Sequence, residues 1–289
     1  MSGKTNTIGK IKSSGKKLAH NATFNPIVEI MARLGYGARG AIYFVMGILT
    51  LLLALGKVGN TTDQQGAIVT IGTQPEGRIL LWIIFVGLVC YSLWGLIRAV
   101  FNPLHKEHNT KGNAERVGYL FSGIAYALLV LPTYALITGG VQPALNGEQG
   151  VQTKHYVAKI LTIPLGQLLV GMVGVIVMLV GIFQIYQAFS SKFEEQIHLT
   201  KLTPLQEKRV KDFGRVGTTA RGIIFALLGI FLIWAAYTTN SNQAKGFDGT
   251  LMSLLHLPYG HFLMGGMALG LIALGIYSLL VGIFFRLRK

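Results

Sequence analysis

One phrase occurs three times in this chain, each time at the start of a long apolar run. Its Arg, Gly and aromatic or hydroxyl residues keep the same spacing in every copy: Arg33, Gly35, Tyr36, Gly40, Tyr43; Arg116, Gly118, Tyr119, Gly123, Tyr126; Arg215, Gly217, Thr218, Gly222, Phe225. Each copy is followed by a Pro-x-Gly and a second apolar run, at Pro75, Pro164 and Pro258. A tandem period of roughly 85–100 residues with this internal order indicates a repeated two-helix unit.

Composition places these helices in a membrane. Hydrophobic residues make up 51% of the chain and charged residues only 13%. Six apolar runs reach the roughly 20 residues that a helix needs to cross the hydrocarbon core: 37–56, 79–101, 118–138, 166–189, 219–238 and 262–285. A water-soluble bundle would need a charged stripe on each helix, and the stretches 40–56 and 263–285 contain no charged residue.

The predicted fold is therefore an all-α integral membrane protein with six transmembrane helices. These helices form three parallel two-helix repeats, which a pseudo-threefold axis along the membrane normal can relate. The predicted boundaries are a flexible basic tail over 1–26, followed by repeats over 27–103, 104–189 and 190–289.

The distribution of basic residues predicts the orientation. With both termini on one side, only five of the 26 Lys and Arg fall on the other side: Lys57, Arg78, Lys154, Lys159 and Lys245. The positive-inside rule then makes both termini cytoplasmic. The net charge of +15 is explained by topology and by attraction to anionic headgroups. Basic residues spread over four segments do not indicate a nucleic-acid surface.

No feature of the chain predicts an enzyme. All eleven Asp and Glu fall in loops or at helix ends, whereas ion-coupled transporters usually keep an ionisable acid near the midplane. A phosphate-binding loop, a His-Glu-x-x-His zinc motif and a Gly-x-Ser-x-Gly nucleophile turn are all missing. No histidine lies at membrane depth, so neither a metal site nor any other cofactor is expected.

Glycines at helical spacing predict close helix packing. Lipid provides no hydrophobic force between helices, so close backbone approach at small residues supplies the contacts. The candidate packing glycines are Gly40, Gly47, Gly123, Gly222, Gly229, Gly266 and Gly270. In this purely structural interpretation, the repeated tyrosines lie at the membrane interface with wet hydroxyls, and the arginines snorkel to headgroups.

A functional interpretation of the same residues starts from symmetry. If the first helix of each repeat lines the axis, equivalent arginines form a cationic ring at the cytoplasmic mouth. If the second helices line the axis instead, the arginines face outward and form no ring. The candidate anion or lipid-headgroup residues are Arg33, Arg39, Arg116, Arg215 and Arg221. Arginine offers a planar fork that suits phosphate and carboxylate.

The second repeat departs most from the other two. Ser122 replaces the inner arginine, and Ile176 stands where the other repeats have Gly87 and Gly270. Near the end of the second helices, Arg98 and Gln187 can form hydrogen bonds, but the third copy has Val281. This divergence indicates the repeat in which specialisation is expected.

The segment from Arg33 to Tyr43, with the acidic-Gln-Gly segment and Pro-x-Gly that follow it, resembles a bacterial membrane family. That family is catalogued as domain-of-unknown-function family twelve hundred and six. The resemblance covers about residues 27–285 and implies three tandem two-helix domains. It also implies a bacterial origin, and hence a bacterial plasma (inner) membrane, but it implies no activity.

Two functional hypotheses follow. The first is a non-enzymatic structural or accessory subunit of a larger membrane complex, whose partners would be other integral membrane proteins. The second is an autonomous protein that binds or conducts an anionic lipid or small anion through the repeated arginines, with anionic headgroups as its partners. No nucleic-acid partner is expected in either case.

Overall fold

A computed structural model describes residues 26–57, 63–101, 110–140, 148–190 and 202–286. The predicted basic tail, apart from Pro26, lies outside the described residues. Within them, the chain forms nine α-helices: α1 Pro26–Ala54, α2 Gln64–Gly72, α3 Gly77–Phe101, α4 Thr110–Thr138, α5 Glu148–Leu161, α6 Gly166–Phe189, α7 Pro204–Tyr237, α8 Phe247–Leu255 and α9 Gly260–Phe284. Six of these are long and apolar enough to span a membrane: α1, α3, α4, α6, α7 and α9.

The six predicted spans are confirmed, and the chain is a multi-pass membrane protein. The first helix of each repeat begins earlier than its apolar run, because polar residues extend it beyond the lipid. α7 shows how such an extension starts. Thr203 and Gln206 form a reciprocal capping box, and Pro204 occupies the first turn, where its missing N–H costs nothing.

Short helices α2, α5 and α8 connect the two long helices of each repeat on the face opposite the termini, which we call the short-helix face. The opposite end, which bears Pro26 and Phe284, is the terminal face. α2 does not lie on the surface, because Ala67, Ile68 and Ile71 are buried against the long helices. The Asp63 side chain caps its start by accepting a 2.8 Å hydrogen bond from Gly66 N.

The long helices contact one another in the order α4, α3, α1, α9, α7, α6. Because α2 contacts both α4 and α5, and α5 contacts α6, the two ends of this series are brought together as an open ring. The first helix of each repeat packs against the second helix of a neighbouring repeat, giving the pairs α1–α9, α4–α3 and α7–α6. Within a repeat, α1 packs on α3 and α7 packs on α9, but α4 and α6 share no comparable interface. Five of the six interfaces that a threefold-symmetric ring would have are therefore present, and the interface between α4 and α6 is not.

Glycines allow helices of neighbouring repeats to approach each other closely. A Cβ built on Gly229 would lie 2.4 Å from Met178 N, well inside contact distance. The same close approach holds for Gly40, Gly47, Gly123 and Gly222. Five of the seven predicted packing glycines thus form the contacts between repeats, as association through small residues requires.

The remaining two predicted glycines behave differently from each other. Gly270 meets Ala220 of α7, with a built Cβ 2.2 Å from the alanine Cβ. Gly266 is exposed, and a Cβ built on it would meet no atom of another helix within 4 Å among the described residues, so its assignment to helix packing was wrong. Four residues rotate a helix by about 40°, which is enough to turn position 266 outward, as the exposure of the equivalent Ile83 also shows.

Candidate anion-binding site

The first arginine of the repeated phrase stabilises a helix end. Arg33 Nε donates to the carbonyl oxygen of Phe285 at 2.9 Å, just beyond α9, and a guanidinium nitrogen pairs with Glu29. Arg116 donates to Ala99 O at 2.8 Å and to Val100 O at 3.1 Å in the last turn of α3. These bonds satisfy carbonyls that a helix leaves without partners. Arg215 lies 3.6 Å from Asp212, its neighbour on α7.

The second arginine of the phrase lies deeper. Arg39 and Arg221 follow the first arginine by six residues, which places them roughly 9 Å further into the bundle. There they join Arg98 of α3 and four tyrosines from three helices. We call this set the arginine–tyrosine cluster, and its members are Tyr36, Arg39 and Tyr43 of α1, Tyr91 and Arg98 of α3, Tyr126 of α4 and Arg221 of α7.

Arg39 is held at the centre of the cluster by tyrosines. Its Nη1 donates to the Tyr91 hydroxyl at 2.8 Å, and its guanidinium carbon lies 5.6 Å from the centre of the Tyr43 ring. The Tyr91 ring in turn packs 4.5 Å from Tyr126. Arg39 Nε is buried and has no hydrogen-bond partner within the part of the chain that the structure describes. Aromatic faces attract a guanidinium, but they do not carry a compensating negative charge.

Arg98 lies nearer the terminal face and is almost fully buried, with 5% of its surface exposed. Its Nη1 donates weakly to the Tyr36 hydroxyl at 3.4 Å, and its guanidinium lies 4.3 Å from the Tyr119 ring and 5.4 Å from Trp94. Its Nε and Nη2 are buried and have no hydrogen-bond partner among the described residues. Two donor groups of a buried cation are therefore unused.

Arg221 reaches the same place from α7. Its guanidinium carbon lies 5.7 Å from the Tyr43 ring and 5.1 Å from Phe225, and its buried Nε has no hydrogen-bond partner in the described ranges. Arg221 and Arg39 therefore flank the Tyr43 ring. Both arginines are only half-buried, so they keep accessible surface at membrane depth.

No carboxylate forms an ion pair with the cluster among the described residues, although Glu115 of α4 is buried one turn before Tyr119. Arg39, Arg98 and Arg221 form no ion pair there; the acidic side chains that do pair, such as Glu29 and Glu207, lie at helix starts. An isolated charge costs several kcal/mol to bury, and about 2.5–3.5 kcal/mol for arginine at the centre of a membrane helix. Three positive charges held close together in this way provide hydrogen-bond donors and a positive electrostatic potential that suit an anion.

Sequence comparison assigns the family. A family model described as Domain of Unknown Function (DUF1206) matches the chain three times, over residues 34–102, 117–191 and 216–284. The chain belongs to this family. An uncharacterized protein, YxxB, of Bacillus subtilis (strain 168) is 30% identical over 259 residues, which cover 90% of this chain and 92% of the relative. No solved structure matches the chain. The predicted family membership and the three tandem repeats are confirmed.

The five arginines predicted from the DUF1206 repeats do not form one ring. Arg33 and Arg116 bond helix ends, Arg215 lies beside Asp212, and only Arg39 and Arg221 converge.

Arg98 was not predicted to belong to the site, and the tyrosines of the repeated phrase were predicted to lie at the membrane interface. Tyr36, Tyr43 and Tyr126 are instead buried among the arginines. A signal for Arg98 was present, because Tyr91, Trp94 and Arg98 are spaced i, i+3, i+7 and so share one buried face of α3.

A second set of charged side chains lies on the short-helix face. Asp63 is fully buried at the start of α2, and Asp248 of α8 lies against Gly150 of α5. Burial, with the nearby Asp63 carboxylate, raises the pKa of Asp248. Burial and Lys154 lower the pKa of Lys245. This set joins the three short helices and is separate from the arginine–tyrosine cluster.

Proposed function

We propose that this protein binds an anionic group inside the membrane, at the guanidinium groups of Arg39, Arg98 and Arg221. The phosphate of a lipid headgroup and a free phosphate or carboxylate share the required chemistry. The role proposed is that of a binding protein or conduit, without catalysis.

One observation carries this proposal: three guanidinium groups lie together at membrane depth, with unpartnered buried nitrogens and no paired carboxylate among the described residues. A purely structural arginine would be expected to satisfy its donors, as Arg116 does with two carbonyl oxygens. Donors left unused at the cost of desolvation are typical of a site that a ligand completes.

We further propose a bacterial plasma-membrane location with both termini in the cytoplasm. The excess of Lys and Arg on the terminal face supports this orientation. The cluster would then lie nearer the cytoplasmic leaflet, where anionic lipids and their negative surface potential are found.

The experiment measures stabilisation by anions. Protein purified in dodecyl maltoside is heated with inorganic phosphate, with short-chain phosphatidylglycerol, or with phosphatidylcholine of the same chains, and unfolding is followed by tryptophan fluorescence. A ligand at 100 times its dissociation constant stabilises the folded state by about 2.7 kcal/mol. We expect the two anions to raise the unfolding midpoint and phosphatidylcholine to leave it unchanged.

Arg221→Met provides the decisive variant. Arg221 makes no hydrogen bond among the described residues, so its removal leaves no partner unsatisfied. Removing an uncompensated charge should raise the free energy of unfolding of the ligand-free protein by about 1–3 kcal/mol. It should also reduce the rise in unfolding midpoint that the two anions cause. Arg116→Met is the matched control and should keep the anion response. An Arg221→Met protein that is less stable and still responds fully to both anions would refute the proposed site.

The accessory-subunit role stays a prediction. Gentle purification of the tagged protein from native membranes, with mass spectrometry of co-purifying proteins and lipids, tests it directly. A stoichiometric protein partner would support a subunit role, and a retained anionic lipid would support the binding site.

A further inference from the structure

The second repeat leaves an opening in the ring of helices. α1 packs on α3 and α7 packs on α9, but the equivalent pair, α4 and α6, is separated. We call the space between α4 and α6 the lateral gap. The glycine contacts show where it lies, because a Cβ on Gly35 would be 2.7 Å from Tyr91 and a Cβ on Gly217 would be 2.5 Å from Leu274. A Cβ built on the equivalent Gly118 would meet no atom of another helix within 4 Å among the described residues.

A pair of residues explains the separation. In the first repeat Ala38 meets Gly87, and in the third Ala220 meets Gly270, with Cβ distances of 2.4 Å and 2.2 Å for a Cβ built on the glycine. The second repeat has Phe121 and Ile176 at these two positions. Two bulky side chains cannot take the place of a methyl and a hydrogen, so the helices cannot approach. Phe121 is 63% exposed and Ile176 56% exposed, whereas Ala38 is 6% exposed.

The lateral gap is continuous with the arginine–tyrosine cluster. Successive residues of an α-helix are about 100° apart, so Gly118, Ser122 and Ala125 form one narrow face of α4. Tyr119 and Tyr126 lie on the cluster side of that face, and Tyr119 packs on Arg98 at 4.3 Å. Phe121 lies on the other side, toward lipid. The gap therefore connects the hydrocarbon region with the buried cations.

We infer that the lateral gap holds an acyl chain of an anionic phospholipid whose phosphate binds the arginine–tyrosine cluster. This inference rests on the proposed function and names its ligand class. Charge complementarity selects the occupant, because the gap, lined on α4 by Gly118, Ser122 and Ala125, leads to three guanidinium groups that form no ion pair among the described residues. An amphiphile with a negative head and a hydrocarbon chain matches both parts. A free anion has no hydrocarbon part that could bind in an apolar opening.

Filling the gap tests the inference. The variant Gly118→Leu/Ala125→Leu puts two side chains into the open face of α4. Gly266→Leu is the matched control, since Gly266 is also exposed with nothing within 4 Å but lies outside the gap. Each protein in dodecyl maltoside is titrated with palmitoyl-oleoyl-phosphatidylglycerol and separately with inorganic phosphate, and the unfolding midpoint is recorded.

The expected result is that the filled variant binds phosphatidylglycerol at least about tenfold more weakly, a free-energy difference large enough to measure. Its response to phosphate should be unchanged, and the control should match the wild type for both ligands. Undiminished phosphatidylglycerol binding by the filled variant would overturn the inference. A wild-type protein that responds to phosphate but not to phosphatidylglycerol would also overturn it, and the proposed function would stand. A wild type that responds to neither anion would refute the proposed function itself.

A second variant decides the matter if the filled protein does not fold. Phe121→Ala/Ile176→Gly restores the residue pair of the other two repeats and should bring α4 and α6 together. We expect the same selective loss of phosphatidylglycerol binding. Native mass spectrometry of the wild-type protein identifies what occupies the gap. A second protein chain found there in place of lipid would overturn the inference.

Discussion

Gly35, Gly118 and Gly217 occupy the same position in the three repeats, so replacing each by alanine compares three environments with one chemical change. In α1 and α7 the glycine contacts backbone atoms of the partner helix, at Tyr91 and Leu274, whereas Gly118 faces the lateral gap. We predict that Gly35→Ala and Gly217→Ala destabilise the protein and that Gly118→Ala does not.

The magnitude follows from the distances. Ordinary contact for a Cβ begins near 3.4 Å, and the new methyl groups would lie 2.7 Å from Tyr91 Cα and 2.5 Å from Leu274 Cα. Backbone atoms cannot move away by changing rotamer, so the helices must separate by roughly 0.7–0.9 Å. Overpacking of this kind costs about 1–3 kcal/mol. Gly118→Ala adds no clash and should gain up to about 1 kcal/mol from lower backbone entropy.

The assay is reversible unfolding in dodecyl maltoside by increasing mole fraction of sodium dodecyl sulfate, followed by tryptophan fluorescence. Because the substitution and the helical context are the same, the helix-propensity term cancels between variants. The difference between Gly118→Ala and the other two variants then reports the interhelical contact alone. Equal destabilisation of all three variants would show that α4 and α6 pack like the other pairs, and the lateral gap would not exist.

Two further predictions concern groups outside the cluster. Asp248→Asn should stabilise the protein at pH 7–8 and have less effect near pH 4. The pKa of Asp248 in the folded state is above its ordinary value, which means that ionisation of this carboxyl opposes folding, so its contribution to stability is lost as pH rises through the folded pKa. Thermal melts of the variant and the wild type from pH 4 to pH 8 measure the difference in stability. A stability gain that is larger at low pH would contradict the prediction. Arg116→Ala should lower the free energy of unfolding by about 1–3 kcal/mol through loss of two charge-assisted hydrogen bonds to the end of α3, without altering the anion response; an unchanged unfolding free energy would show that these bonds contribute nothing.

Much of the architecture could be predicted from local sequence. The apolar runs predicted six spans because crossing the hydrocarbon core is a matter of length and composition. The spacing of Gly40 and Gly47, and of Gly222 and Gly229, predicted close faces because a helix places residues seven apart on one side. Family membership followed from the same repeated phrase.

The site was predicted only in part. Sequence symmetry grouped Arg33 with Arg39, but their helix assigns them different neighbours, carbonyl oxygens in one case and tyrosine rings in the other. Arg98 was noted only as a hydrogen-bonding residue near the end of its helix and was not assigned to the site. Its burial depends on Tyr119 of α4, a residue from the next repeat.

By itself, the sequence determined the number of spans, their repetition and the small residues at which helices approach, since these depend on local composition and period. Only the tertiary structure decided which arginines converge and where the ring opens. Both depend on how helices distant in sequence rotate against each other. Ile176 was visible as a departure from glycine, but its effect arises from Phe121 at the facing position, and no local pattern pairs those two residues.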